Sequence, residues 1–88
     1  MEAIAVELFT HPMCSGCPQA LQALSQLAAS GVIELEVCTL GSPTGRRRAE
    51  TLGVTCVPTV RFDDVLHVVK GRADLEKVVD SLAATATT

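Results

Sequence analysis

Four cysteines, Cys14, Cys17, Cys38 and Cys56, carry the clearest chemical potential in this 88-residue chain. Two of them form the run Cys14-Ser15-Gly16-Cys17. The thiolate, not the thiol, attacks a disulfide or binds a soft metal, so an attacking cysteine needs a source of positive potential. A helix N-terminus supplies one through its unpaired N–H groups and the positive end of its macrodipole. Pro18 is tolerated only in the first turn of a helix, which places a helix N-terminus at the cysteine pair. Cys14 then sits on the exposed approach, while Cys17 lies one turn in, partly covered and close enough to bond it. A division of labour follows in which Cys14 attacks, a mixed disulfide forms and Cys17 resolves it. Metal sites use the same spacing, so exchange chemistry and metal capture both fit the run taken alone. Zinc would require a second close pair, which Cys38 and Cys56 do not form, and no metal site is expected.

A second cluster, Thr55-Cys56-Val57-Pro58-Thr59, precedes a β-rich stretch. Pro58 has no N–H to give to a ladder and belongs at an edge or turn leading into a strand. Cys56, beside Val57 and Pro58, is expected near the cysteine pair, either as an ordinary thiol or as a partner in a regulatory disulfide. His11, three residues before Cys14, either steadies the thiolate or is a surface loop histidine. Cys38, at the end of a strand, reads as a small buried hydrophobe. Arg46-Arg47-Arg48 reads as a solvated helical face, with an anionic partner as the other reading.

The elements that must position these residues follow from periodicity. Residues 3–9 are largely apolar, as in a strand covered on both faces, and Pro12 closes the run. From Cys14 to about Ala29 the chain favours helix, with Leu21, Leu24, Leu27 and Ala28 as an apolar stripe and Gly31 at its end. Ile33, Leu35 and Val37 alternate with Glu34, Glu36 and Cys38, the pattern of a half-exposed strand near a sheet edge. After the Gly41-Ser42-Pro43 turn, a short helix over 44–52 ends at Gly53. Val57–Phe62 and Val65–Val69 flank Asp63-Asp64 as a hairpin. A last helix over 73–84 offers Leu75, Val78, Val79 and Leu82, and residues 85–88 are expected to be a disordered tail. The order βαβαββα makes an α/β protein. One domain over 1–84 is expected, with a four-stranded mixed sheet flanked by three helices and Leu21, Leu24, Leu27, Val60 and Phe62 in its core.

Hydrophobic residues make up 48% of the chain, enough for a core, and with only Phe9 and Phe62 aromatic that core is aliphatic. A net charge of −3, without a basic tail or interleaved aromatics, argues against nucleic acid as a partner. No apolar run approaches the ~20 residues that span a bilayer. The first residues carry Glu2 and Glu7 and no basic leader, so a cytoplasmic monomer without membrane partners is the expectation.

Taken together, Cys14-Ser15-Gly16-Cys17 after a first strand and Val57-Pro58-Thr59 before a hairpin resemble the thioredoxin and glutaredoxin superfamily over residues 3–83. The resemblance implies a thioredoxin-like fold and a redox-active Cys14–Cys17 disulfide. It implies a glutaredoxin-like oxidoreductase and electron carrier that reduces protein disulfides with no other cofactor, recharged by a disulfide reductase or by glutathione. It also implies a cis Val57–Pro58 bond, a form taken by only about 5–6% of X–Pro bonds. Pro58 would abut the cysteine pair, and Val57 would receive an extended substrate segment through backbone hydrogen bonds. Met13 stands where thioredoxins carry Trp, and Leu8 where they place a buried acid; both departures, and the Cys17-Pro18 step, lean toward the small glutaredoxin-like branch. Gly71-Arg72-Ala73-Asp74 loosely resembles the segment with which glutaredoxins hold glutathione. Two rival readings remain. One is a copper- or mercury-binding carrier, whose modules run βαββαβ and place a spacer between Met and the first Cys. The other is a redox-inactive adaptor that keeps the fold for docking.

Overall fold

Alternation along β1 (Ile4–Thr10) sets the layering of the molecule, because Val6 and Leu8 are buried toward one face and Phe9 toward the other. The computed structural model describes residues 3–86. After β1 come α1 (Cys17–Ala29), β2 (Ile33–Thr39), α2 (Pro43–Leu52), β3 (Thr59–Phe62), β4 (Val65–Val68) and α3 (Arg72–Ala86). The sheet order is β2-β1-β3-β4, with β1 parallel to β2 and antiparallel to β3, and β3 antiparallel to β4. Helices α1 and α3 cover one face, burying Ala20, Leu24, Val78 and Leu82 against Val6, Leu8 and Val60. Helix α2 covers the other through Ala49, which packs with Phe9 and Val54. The four-stranded mixed sheet with three helices is the architecture that the periodicities imply. None of the described helices is long and apolar enough to cross a membrane.

Local chemistry fixes the joints. Helix α1 stops at Ser30, where Gly31 takes φ +80° and donates to the Ala28 carbonyl while Val32 donates to that of Leu27. These two bonds make a Schellman cap, which a left-handed glycine permits without a Cβ clash. Ser42 caps α2 by accepting from the Gly45 N–H at 3.0 Å. A Cβ at position 45 would collide with the Thr39 carbonyl, so glycine alone lets the start of α2 close onto the end of β2. Asp63 and Asp64 both have positive φ, the conformation of a two-residue hairpin turn.

The half-exposed strand expected near a sheet edge is found there: β2 is the edge strand, and Val37 is 46% exposed although it shares a face with Ile33. Two expectations need correction. Leu21 is 37% exposed, because α1 rolls so that Ala20 and Leu24 meet the sheet, with Ala23, Leu27 and Ala28 packed around them. Helix α3 runs to Ala86 instead of stopping at 84, and Thr85 Oγ1 donates to the Ser81 carbonyl within it. The remainder of the anticipated tail, residues 87–88, lies outside the described residues.

Candidate active site

The chain leaves the central strand at Thr10 and turns sharply before α1, which carries the cysteine pair to the carboxyl end of the sheet. The Cys14 N–H donates to the His11 carbonyl at 3.0 Å, and the Met13 N–H donates to His11 Nδ1 at 3.0 Å. His11 therefore braces the turn from two atoms. Helix α1 begins at Cys17, with Gly16 as its N-cap and Pro18 in its first turn. The expected helix start at Cys14 moves three residues on, so Cys17 opens the helix instead of lying a turn inside it. No side chain caps this N-terminus and no acidic residue occupies its first turn, so its positive potential is left for the cysteines.

Cys14 and Cys17 form a disulfide with a Cα–Cα distance of 5.5 Å. Their surroundings differ: Cys17 is 5% exposed, whereas Cys14 is half-buried and reachable. An incoming thiol therefore meets the sulfur of Cys14, and the second sulfur waits beneath it.

The wall facing the pair comes from the segment before β3. The Val57–Pro58 peptide is cis. A Cβ on Gly16 would lie 3.8 Å from Pro58 Cδ, which places the proline ring against the cysteine loop. The Val69 N–H donates to the Pro58 carbonyl at 3.0 Å, and Thr59 Oγ1 donates to the Cys56 carbonyl at 2.6 Å, which hold the segment from both sides. The N–H and C=O of Val57 are bonded to no other described residue. Between these walls lies a cleft of about 490 Å³ lined by Cys14, Cys56, Val57 and Pro58, with Lys70 and Arg72 at its rim. Among the described residues, no acidic side chain lines it.

The candidates singled out in the sequence thus separate into groups. Cys14, Val57, Pro58 and Cys56 share the cleft, with Cys17 beneath it. His11 does not line that cleft; it lines a separate, largely apolar hollow beside the disulfide with Pro12, Pro18 and Leu21. Cys38 belongs elsewhere, half-buried beside the Phe9 cluster under α2. Its thiol donates to Glu7 Oε2 at 3.8 Å. Burial first, and then the charges of Glu7 and Glu36, push its pKa above the ordinary thiol value, so Cys38 is held as the thiol.

Sequence reading missed the ion network around that thiol. Glu7, 12% exposed, accepts from Arg48 Nε and Nη2 at 3.0 and 2.9 Å and from Arg61 Nη1 at 2.8 Å. Arg61 Nη2 in turn donates to Asp64 at 2.7 Å. Of the three successive arginines, Arg48 is thus committed to the sheet, while Arg46 and Arg47 are exposed. A lone Glu inside an apolar central strand was the available signal. Among the described residues, no three His, Cys, Asp or Glu side chains converge on a common point where a metal would sit.

A mixed sheet of this order, with a cysteine pair closing a disulfide at the N-terminus of α1, defines a dithiol–disulfide oxidoreductase. The chain is 32% identical to a thioredoxin of Methanocaldococcus jannaschii over 82 residues, 93% of this chain and 95% of that protein. It belongs to the thioredoxin family. Its fold is shared with Glutaredoxin 1 from Francisella tularensis, at a TM-score of 0.64 and 18% identity, covering 93% of this chain and 99% of that one. The J-Trx1 fragment of ERdj5 gives a TM-score of 0.67 at 18% identity, covering 98% of this chain and 44% of that one. No protein-family model matches the sequence. The βαβαββα order also sets aside the βαββαβ carrier module considered above.

Proposed function

We propose that the protein reduces disulfides in other proteins, with Cys14 as nucleophile, Cys17 as resolving thiol, and Val57 and Pro58 as the docking edge. In the reduced state the Cys14 thiolate, favoured by the start of α1, attacks one sulfur of the substrate disulfide. That bond breaks, its far sulfur leaves as a thiolate and takes up a proton, and a Cys14–substrate disulfide remains. Cys17 then loses its proton and attacks Cys14 Sγ, expelling the substrate's second sulfur, which is protonated in turn. Two electrons and two protons pass to the substrate, and the Cys14–Cys17 disulfide is restored. A thiol donor, either glutathione or the dithiol of a flavin reductase, recharges the pair, and the protein works as a cytoplasmic monomer.

One observation carries this reading: the disulfide joins a reachable sulfur to a buried one beside a backbone edge, Val57, with free hydrogen-bonding groups. An extended substrate strand can add to such an edge, which aligns its sulfur with Cys14. The test is Cys17→Ser, which leaves the attack intact and removes the resolving step. Reduced variant mixed with a disulfide protein such as insulin should accumulate a covalent adduct through Cys14, cleaved by dithiothreitol. The additional change Cys14→Ser should abolish it. Failure of the single variant to form any adduct, with its fold confirmed by circular dichroism, contradicts the proposal.

A further inference from the structure

The cleft beside the cysteine pair does not end at its own rim. Gln19, Arg72 and Leu75 line it and also line a second furrow, of about 330 Å³, between α1 and α3. One wall of the furrow is Gln19, Gln22 and Gln26, spaced so that they share a stripe of α1. The other is Arg72, Glu76 and Asp80 on α3, and Ala23, Leu75 and Val79 form an apolar floor.

Two features suit this furrow to a polypeptide. The three glutamine amides make no hydrogen bond to any other described residue, and an uncommitted amide can match both the N–H and the C=O of an extended chain. The charge also changes sign along the path, from Lys70 and Arg72 near the cysteines to Glu76 and Asp80 at the far end. Arg72 and Glu76 touch at 3.4 Å with side chains 88% and 66% exposed, a contact that leaves both free to meet a ligand. The helix rises about 1.5 Å per residue, so the path from Arg72 to Asp80 is about 12 Å, which an extended chain covers in about four residues.

We infer that the furrow is a second subsite, which holds polypeptide flanking the reacting half-cystine. It selects an acidic residue beside that half-cystine and a basic residue about four positions further on. The inference rests on the redox reading above and narrows its substrates to disulfides in extended, charge-patterned protein segments. A disulfide too small to leave the first cleft gains nothing from it.

The test uses reduced protein in a single turnover with synthetic peptides whose one cysteine is disulfide-linked to thionitrobenzoate. The Cys14/Cys17 dithiol supplies two electrons, becomes the disulfide, and releases the peptide thiol and the yellow thionitrobenzoate thiolate that is measured, with one of its protons going to the peptide thiol and the other to solvent. Peptides are symmetric about cysteine, so chain direction does not matter: one carries Asp at both neighbours and Lys four positions beyond each, one has these charges reversed, and one is cut to Asp-Cys-Asp. At low salt the matched peptide should react about tenfold faster than either of the others, and 0.5 M NaCl should remove most of the gain. In Asp80→Lys, a peptide with Glu in place of the distal Lys should become the faster one. Equal rates for all peptides within twofold overturn the subsite and leave the redox reading standing. If no peptide releases thionitrobenzoate, the redox reading falls and takes the subsite with it.

Discussion

Each of the four thiols has a chemistry set by the few atoms around it. Cys14 is half-buried at an uncapped helix start, Cys17 is covered, Cys56 is exposed in the cleft, and Cys38 leans on a carboxylate under α2. Reactivity toward an alkylating reagent requires both access and thiolate, and Cys38 is short of each. In the oxidised protein at pH 7, N-ethylmaleimide should therefore modify Cys56 at least about tenfold faster than Cys38. Peptide mapping by mass spectrometry checks this, and comparable rates would show that the Glu7 environment does not quiet the thiol. The redox pair was legible in the sequence because two residues of spacing and a following proline are local facts. The quiet state of Cys38 was not, since Glu7 approaches it only through the pairing of β1 with β2.

Between elements, a polar tie runs from Glu7 of β1 to Arg48 of α2 and Arg61 of β3. It fastens the lone helix of one face to the middle of the sheet. Hydrogen bonds from Arg48, followed by its charge and by Arg61, hold the Glu7 pKa below its ordinary 4.5 despite partial burial. A folded-state pKa below the unfolded one means that the unfolded chain binds the extra proton first. The contribution is therefore complete above about pH 4.5 and fades as pH falls through the lowered folded value. Urea titrations of Glu7→Gln against the parent should show a loss of about 1–2 kcal/mol at pH 6, narrowing toward pH 3. A difference independent of pH would mean that shape, not charge, is what Glu7 supplies.

Element order and type were readable because period-2 and helical stripes are short-range patterns, and Gly31, Gly53 and Asp63-Asp64 punctuate them. The roll of α1 was not readable, because Leu21 and Ala20 are equally fit to be buried until the sheet decides. Nor was the ion network, whose partners lie 41 and 54 residues from Glu7.

At the scale of the whole molecule, the sheet brings three distant segments to one end: the turn after β1, the segment before β3, and the start of α3. Together they make a cleft with a cationic rim on a chain whose net charge is −3. The fold's contribution to chemistry is to aim the N-terminus of α1 at one reachable sulfur while sealing the other below it. The pH dependence of iodoacetamide alkylation of the reduced protein, read at each cysteine by mass spectrometry, tests that contribution most directly. Cys14 should react first, with a midpoint below the free-thiol value of about 8.5, and Cys17 should be protected. A Cys14 midpoint at or above that value, or equal alkylation of Cys14 and Cys17, would contradict the account.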